Sequence, residues 1–266
     1  MSASLILLVA YKGASFAGFA RQPQQKTVQG QLEAALKIIL KREVETVGAG
    51  RTDSGVHALG QVVSCAITDD EHDSLNLFAL RRSLEVLAGE DISLRALAFG
   101  PAAFSARFDA LERTYRYRIF TGIERPLFLA DFAWHVPRAL DIEAMRQATE
   151  YAKGEHDFTS FCVKASADEL KAQGLSLCRE ISALEIFEEE VLGEACLTIE
   201  VRGNAFLHSM VRTLVGTLVE IGSGQHNPAW MGEVIAAQSR EAAGQTAPAA
   251  GLTFFHVRYP NGLFGN

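Results

Sequence analysis

The chain has 266 residues, of which 48% are hydrophobic and 21% charged, and its formal net charge is −7 at pH 7. This composition is typical of globular proteins and excludes disorder along the whole length. The acidic balance weighs against a nucleic-acid partner, but a local basic face can still bind phosphates. Arginine outnumbers lysine among the 25 basic residues, which suits bidentate phosphate recognition or reflects a GC-rich genome.

The four cysteines argue against metal and disulfide chemistry. None of them forms a C-x-x-C pair or has a histidine at metal-ligand spacing, so we expect no metal site and reduced thiols in a cytoplasmic protein. The apolar opening SLILLVAYKG has no basic segment before it and predicts a strand instead of a signal peptide. No segment approaches the roughly 18 to 20 apolar residues of a membrane span.

The first hundred residues alternate between the two kinds of secondary structure. A strand at 4–11 precedes a glycine- and glutamine-rich loop, and Thr27 is a good N-cap for the helix that follows. The pattern then predicts strands at 43–47 and 57–67, a helix at 75–88 and a strand at 92–100. The order strand, helix, strand, strand, helix, strand predicts a ferredoxin-like α/β unit.

The second half holds strands and helices in similar proportion, without a residue-level repeat. The pattern predicts strands at 112–120, 178–190, 195–206 and 252–260. It predicts helices at 141–152 and 207–222, and a further helix that starts at Asn227 and Pro228. The glutamates between residues 183 and 200 predict a solvated hairpin.

The stretch GAGRTDSGVHA, residues 48–58, carries the chemistry of greatest interest. It fails the dinucleotide pattern because Asp53 stands where the third glycine belongs, and no Gly-Lys-Ser/Thr follows for a phosphate loop. What remains is a tight turn that presents Arg51 and Asp53 together. An arginine near a carboxylate favours its ionised form, which suits a nucleophile or a base. On spacing alone a purely structural role for the motif is favoured: Asp53 caps the turn, Arg51 pairs with a surface acid and His57 is a strand residue.

Four segments in order resemble the tRNA pseudouridine synthase A family: AGRTDSGVHALGQV, FSARFDALERTYRYRIF, GEHDFTSF and RGNAFLHSMVRTLVGTL. The resemblance implies an α+β pseudouridine synthase fold, with two ferredoxin-like lobes at 1–101 and 102–266, mainly antiparallel sheets and a central cleft. It implies an isomerase that converts uridine to pseudouridine at positions 38, 39 and 40 of the tRNA anticodon stem-loop. The enzyme is then a cytoplasmic homodimer that needs no cofactor.

The resemblance also implies roles for individual residues. Asp53 matches the family's catalytic aspartate, acting at C6 of the base, at C1′ of the sugar, or in glycosidic cleavage. Tyr115 stacks on the uracil and helps to move the proton from C5; its alternative is a sheet tyrosine paired with Tyr117. Arg212 keeps Asp53 ionised, unless it is an ordinary helix-end residue reaching solvent. Arg51 holds phosphate or fills the space that the flipped base leaves.

Other basic residues are candidates for the phosphate-binding face: Arg21, Lys26, Arg107, Arg113 and Arg116. Four positions depart from the family pattern in segments that bear on RNA positioning: Lys12, Phe19, Glu85 and Gly89. Three alternatives stay open: a tRNA-binding protein without catalysis, a paralogue with another uridine target, and a glycosyl-transfer enzyme acting on free nucleosides. Glycosidases usually need two carboxylates, and no second acid lies near the motif.

Overall fold

The computed structural model describes residues 3–260 and 262–264. The first part of the chain contains four strands and three helices: β1 (Ala3–Tyr11), α1 (Val28–Leu40), β2 (Val47–Gly48), β3 (His57–Ile67), α2 (Asp69–Ser74), α3 (Leu77–Leu87) and β4 (Ile92–Pro101). The remainder of the chain continues with β5 (Glu112–Phe120), β6 (Trp134–His135), α4 (Ile142–Ala152), β7 (Gly154–Asp157), α5 (Lys164–Ala172), β8 (Cys178–Val191), β9 (Glu194–Gly203), α6 (Met210–Gly222), α7 (Trp230–Ala237) and β10 (Leu252–Arg258).

The chain forms two compact units. One comprises the residues up to Arg113 together with those from Thr253 onward, and the other runs from Thr114 to Leu252. In this division residues 102–113 and most of β10 group with the first unit.

The first unit has the strand arrangement of a ferredoxin-like fold. Strands β4, β1 and β3 are antiparallel neighbours, β2 pairs antiparallel with β3, and β10 lies parallel to β3. Helix α1 packs beside α3 and buries Leu32 and Leu36 completely. Burying an apolar side chain of this size stabilises the folded state by about 1.5–3 kcal/mol, so each leucine helps to hold α1 in the first unit.

The second unit is built on the order β5, β9, β8, β7, with β6 parallel to the end of β5. Strands β7, β8 and β9 are antiparallel. Helix α4 packs against α6, α7 and β8, and α6 is buried along nearly its whole length. The predicted α+β class with mainly antiparallel sheets is confirmed in both units. Among the described residues, no helix is long and apolar enough to cross a membrane.

The strand predicted at 43–47 is wrong except at its last residue, Val47, which pairs with β3. The backbone just before it satisfies its polar groups with side chains. The Thr46 N–H donates to the Glu33 carboxylate at 2.9 Å, and the Thr46 carbonyl accepts from the Gln29 amide at 2.8 Å. Because α1 supplies both partners, this segment needs no neighbouring strand.

Candidate active site

The loop at 49–56 connects β2 to β3 and is held by β3 along its first residues. The Ala49 N–H donates to the Val62 carbonyl at 2.8 Å. The Gln61 side-chain amide donates to the Gly50 carbonyl at 2.9 Å. These bonds fix the loop backbone just before the motif's charged residues.

A second set of bonds holds the loop from the segment after β1. The Phe19 N–H donates to the Thr52 carbonyl at 3.0 Å, and the Ser54 hydroxyl donates to the Phe16 carbonyl at 3.2 Å. The Thr52 hydroxyl lies 2.8 Å from the Tyr11 hydroxyl. Burial raises the pKa of Tyr11 to about 12, so its phenol stays protonated at neutral pH. Residues on both sides of Asp53 are thereby anchored.

Asp53 lies half-buried at the start of a tight turn. The turn is closed by main-chain atoms, because the Asp53 carbonyl accepts from the Val56 N–H at 3.2 Å. Gly55 has a φ of +81°, a conformation that strains any residue with a Cβ. The motif's glycine therefore shapes the turn that positions the carboxylate.

The two other polar residues of the motif differ in burial. Arg51 is exposed, and within the described part of the chain it has no ion pair. The structural alternative had paired it with a surface acid. His57 is buried at the start of β3, and its Nδ1 accepts from the Gly13 N–H at 3.2 Å. An accepting Nδ1 places the ring proton on Nε2, as in a neutral structural histidine.

Arg113 ties the motif loop to the segment before β5. Its guanidinium is buried, at 9% exposure, and its Nε and Nη2 lie 3.2 and 3.1 Å from the Ala49 carbonyl. The same group donates to the carbonyls of Ala110 and Arg107. Sequence reasoning placed Arg113 on the phosphate face, whereas this geometry favours a positioning role. Nothing in the arginine-rich sequence alone separates these roles.

In the second unit, Tyr115 and Tyr117 lie on the same face of β5, as their spacing predicts. The Tyr115 ring packs edge-on against Phe206, with centroids 5.1 Å apart. Tyr117 is fully buried, and its hydroxyl donates to the Pro248 carbonyl at 2.8 Å. Burial raises the pKa of Tyr117, and the nearby charge of Arg212 partly opposes that rise. Both tyrosines are buried, and the bond to Pro248 gives Tyr117 a structural role.

Arg212 lies in the first turn of α6 and is half-buried. Its Nε donates to the Ala247 carbonyl at 2.8 Å, and the Ala247 N–H donates back to the Arg212 carbonyl at 3.1 Å. A cation in a first helical turn opposes the helix dipole, so this placement costs free energy unless an anion lies nearby. The reciprocal bonds hold the side chain in place, unlike a solvent-reaching helix-end arginine.

The candidates for phosphate contact differ in how they are paired. Arg21 is exposed and lies 3.2 Å from Glu33, while the Lys26 amine lies 3.7 Å from Asp91. Both cations are more than half exposed although their acidic partners are not, so each keeps donors that face solvent. Arg116 is largely buried and lies 2.7 Å from Glu200, which makes it the less available of these cations. Arg107 is exposed.

Two departures from the family pattern have structural roles here. Besides bonding to Thr52, Phe19 is buried. The Glu85 carboxylate accepts from the Leu94 N–H at 2.8 Å and so fixes the start of β4. Neither departure removes a charged residue of the motif. The described residues contain no cluster of three or more histidine, cysteine, aspartate or glutamate side chains that could hold a metal ion.

Comparison with known proteins identifies the family of this chain. A family model described as tRNA pseudouridine synthase matches residues 7–109 and 148–260. The chain belongs to the tRNA pseudouridine synthase family. It is 42% identical over 252 residues to a tRNA pseudouridine synthase A of Brevibacillus brevis, covering 95% of this chain and 98% of that one. Against the Halalkalibacterium halodurans protein of the same name it is 39% identical over 264 residues, covering 98% and 94%.

Membership of the tRNA pseudouridine synthase family confirms the resemblance drawn from the four sequence segments. It also confirms the pseudouridine synthase fold and the enzyme class, an isomerase. A Thermotoga neapolitana tRNA pseudouridine synthase A is similar over the same extent, at 38% identity over 252 residues, 95% of this chain and 98% of that one. The likeness thus spans both units.

Proposed function

We propose that this protein converts uridine to pseudouridine in the anticodon stem-loop of tRNA, at positions 38, 39 and 40, with Asp53 as the catalytic carboxylate. The observation that carries the proposal is the anchored turn, which fixes Asp53 between residues bonded to two separate segments of the first unit. A preorganised carboxylate is what nucleophilic or base catalysis needs. The family supplies the reaction class and tRNA as the substrate, and the resemblance of the four segments to tRNA pseudouridine synthase A supports the choice of the anticodon stem-loop.

The proposed reaction rearranges its substrate without a co-reactant. The bond between N1 and C1′ breaks, the uracil turns, and a bond forms between C5 and C1′. The proton on C5 leaves and N1 gains one, so the nucleotide's composition is unchanged. Asp53 acts as a nucleophile at C6 or C1′ or assists cleavage of the glycosidic bond. This balance requires no cofactor.

Three further residues complete the proposed mechanism. The target uridine must leave its stack before a side chain can reach it. Tyr115 receives the uracil, and its packing against Phe206 fixes the ring. Arg212 keeps Asp53 ionised, which accounts for a cation placed against a helix dipole. Exposed Arg51 holds RNA phosphate or occupies the space that the base leaves.

The assembly is part of the proposal. We infer that the protein is a cytoplasmic homodimer, in which two subunits combine their basic faces into one tRNA-binding surface. Two lobes divided at residues 101 and 102 are retained as a hypothesis about how the active-site cleft is built. In this assembly Arg21, Lys26 and Arg107 contact phosphate, and Arg113 positions the motif loop. Arg116 is retained as a further RNA contact.

The target is tested with anticodon stem-loop transcripts that carry a single uridine at position 38, 39 or 40. Carbodiimide adducts of pseudouridine stop reverse transcription and so map the product. We expect stops at these three positions with wild-type protein and none with Asp53→Asn. A transcript whose only uridine lies in the upper stem is the matched control. Modification of that control, with the anticodon transcripts unmodified, contradicts the proposed target but not the reaction class.

A further inference from the structure

Phe108 is unusually exposed for a residue of its size. It lies between β4 and β5, and 79% of its surface is accessible. The guanidinium of its neighbour Arg107 lies over the ring, with 5.3 Å between the central carbon and the ring centroid. An exposed aromatic ring beside a cation is the combination with which proteins bind unpaired nucleotides.

The turn that carries Phe108 is closed by its own hydrogen bonds. The Ser105 N–H donates to the Asp109 carboxylate at 2.8 Å, and the Asp109 N–H donates back to the Ser105 carbonyl at 3.1 Å. The Phe108 N–H lies 3.4 Å from the Ser105 hydroxyl. The ring is therefore presented by a defined turn.

This turn is also anchored to the body of the first unit. The Ala106 N–H donates to the Ser64 hydroxyl of β3 at 3.0 Å. The Tyr259 hydroxyl donates to the Ala106 carbonyl at 2.6 Å. Ala106 itself is fully buried, two residues from the exposed ring. Holding the ring in this way lowers the entropy lost when a base stacks on it.

Arg113 links this turn to the motif loop. Its guanidinium donates to the carbonyls of both Arg107 and Ala49. Ala49 starts the loop that carries Asp53. The aromatic ring and the catalytic carboxylate are thus parts of one hydrogen-bonded frame within the first unit.

We propose that Phe108, with Arg107 beside it, is a stacking platform for an unpaired nucleobase of the RNA substrate near the target uridine. The proposal rests on the proposed function for its substrate. Phe108 supplies the ring face, which tolerates any base, and Arg107 supplies charge for the adjoining phosphate. The basic neighbour favours RNA over a second copy of this chain as the occupant.

The direct test is fluorescence of Phe108→Trp during titration with unmodified tRNA. Phe78→Trp is the matched control, because Phe78 lies in the same unit and is 73% exposed, on α3. The wild-type signal from Trp134 and Trp230 is subtracted. We expect saturating tRNA to quench the indole introduced at 108 and to leave the one at 78 unchanged.

The kinetic test replaces the ring with a small side chain. We expect Phe108→Ser to raise KM for tRNA about 5- to 100-fold, as loss of one stacked base does. Phe108→Trp restores KM, and Phe78→Ser leaves it unchanged. A purely structural role for Phe108 would instead lower the melting temperature and would not produce quenching.

The outcomes separate the platform from the proposed function. An active wild-type enzyme with unquenched indole at 108 and an unchanged KM for Phe108→Ser overturns the platform alone. A signal from the indole at 108 that changes with protein concentration without RNA also overturns it, because the ring then contacts another copy. Absence of tRNA binding and modification by wild type overturns the proposed function, and the platform with it.

Discussion

Tyr115 and Tyr117 show how residues of one type, two positions apart, take different roles. The alternation of β5 places both on one face, and the sequence gives no further distinction. In the folded chain Tyr117 donates to the Pro248 carbonyl from a fully buried position, while Tyr115 packs against Phe206. Only the identity of each partner separates them, and those partners come from distant parts of the chain.

The two tyrosines give a paired prediction. Tyr117→Phe removes a buried donor and is expected to lower the free energy of unfolding by about 1–3 kcal/mol. Tyr115→Phe is expected to lower kcat tenfold or more, by roughly the lower range for lost proton-transfer assistance. Urea unfolding measures the first effect and tritium-release kinetics the second. An unchanged kcat in Tyr115→Phe would mean that Tyr115 is a sheet residue.

At the scale of elements, α6 depends on a close approach that only glycine permits. A Cβ on Gly216 would lie 1.8 Å from the Gln245 carbonyl oxygen. The segment that crosses the helix there continues to Ala247, which holds Arg212 by reciprocal bonds. The glycine thus lets the chain lie close enough to position the arginine.

We therefore expect Gly216→Ala to be harmful despite alanine's better helix propensity, which is worth about 1 kcal/mol. Overpacking against backbone is expected to cost about 1–3 kcal/mol of unfolding free energy, and displacement of Arg212 is expected to lower kcat. Gly232→Ala in α7 is the control, because its nearest neighbour is the Tyr151 side chain at 3.1 Å, which can turn aside. Similar stability and activity for the two variants would contradict this account of α6.

Much of the secondary structure could be predicted because its signals are local. β3 occupies 57–67 as the sequence predicts, and Thr27 caps α1 by accepting from the Gly30 N–H. The segment from Thr68 to Glu71 forms a capping box for α2, a short helix that the sequence signature could have revealed. Thr46 could not be predicted, because its partners belong to α1 and are found only in three dimensions.

At the scale of the whole molecule, some of the glutamates form ion pairs with arginines, which the sequence did not indicate. The glutamates of β8 and β9 were predicted to face solvent. Glu189 lies instead 2.7 Å from Arg118, and Glu200 lies 2.7 Å from Arg116. The Arg116 pair joins neighbouring strands β5 and β9, and the Arg118 pair joins β5 to β8 across β9, so sequence spacing cannot reveal them. They neutralise two arginines of β5, and one of these, Arg116, is among the candidates for phosphate contact.

The proposed homodimer is expected to use a group of exposed apolar side chains at one end of the second unit, comprising Ile123, Leu127, Phe128 and Leu192. The Glu194 carboxylate holds this group in place by accepting from the N–H groups of Leu127 and Phe128. The exposed neighbours Glu124 and Arg125 carry opposite charges, which a two-fold interface can pair. Phe128→Asp is therefore expected to shift sedimentation from dimer to monomer, and Phe78→Asp is not. A dimer that survives Phe128→Asp excludes this surface, and a monomeric wild type excludes the homodimer.

Tritium release from tRNA labelled at C5 of uridine tests whether the protein isomerises uridine with Asp53 as its catalytic group. Formation of the bond between C5 and C1′ expels the label, so release reports the reaction itself. Wild-type protein is expected to release tritium, and Asp53→Asn is expected to release none while binding tRNA with unchanged affinity. Release by both proteins would show that Asp53 only shapes the turn, and release by neither, with tRNA bound, would leave a tRNA-binding protein without catalysis.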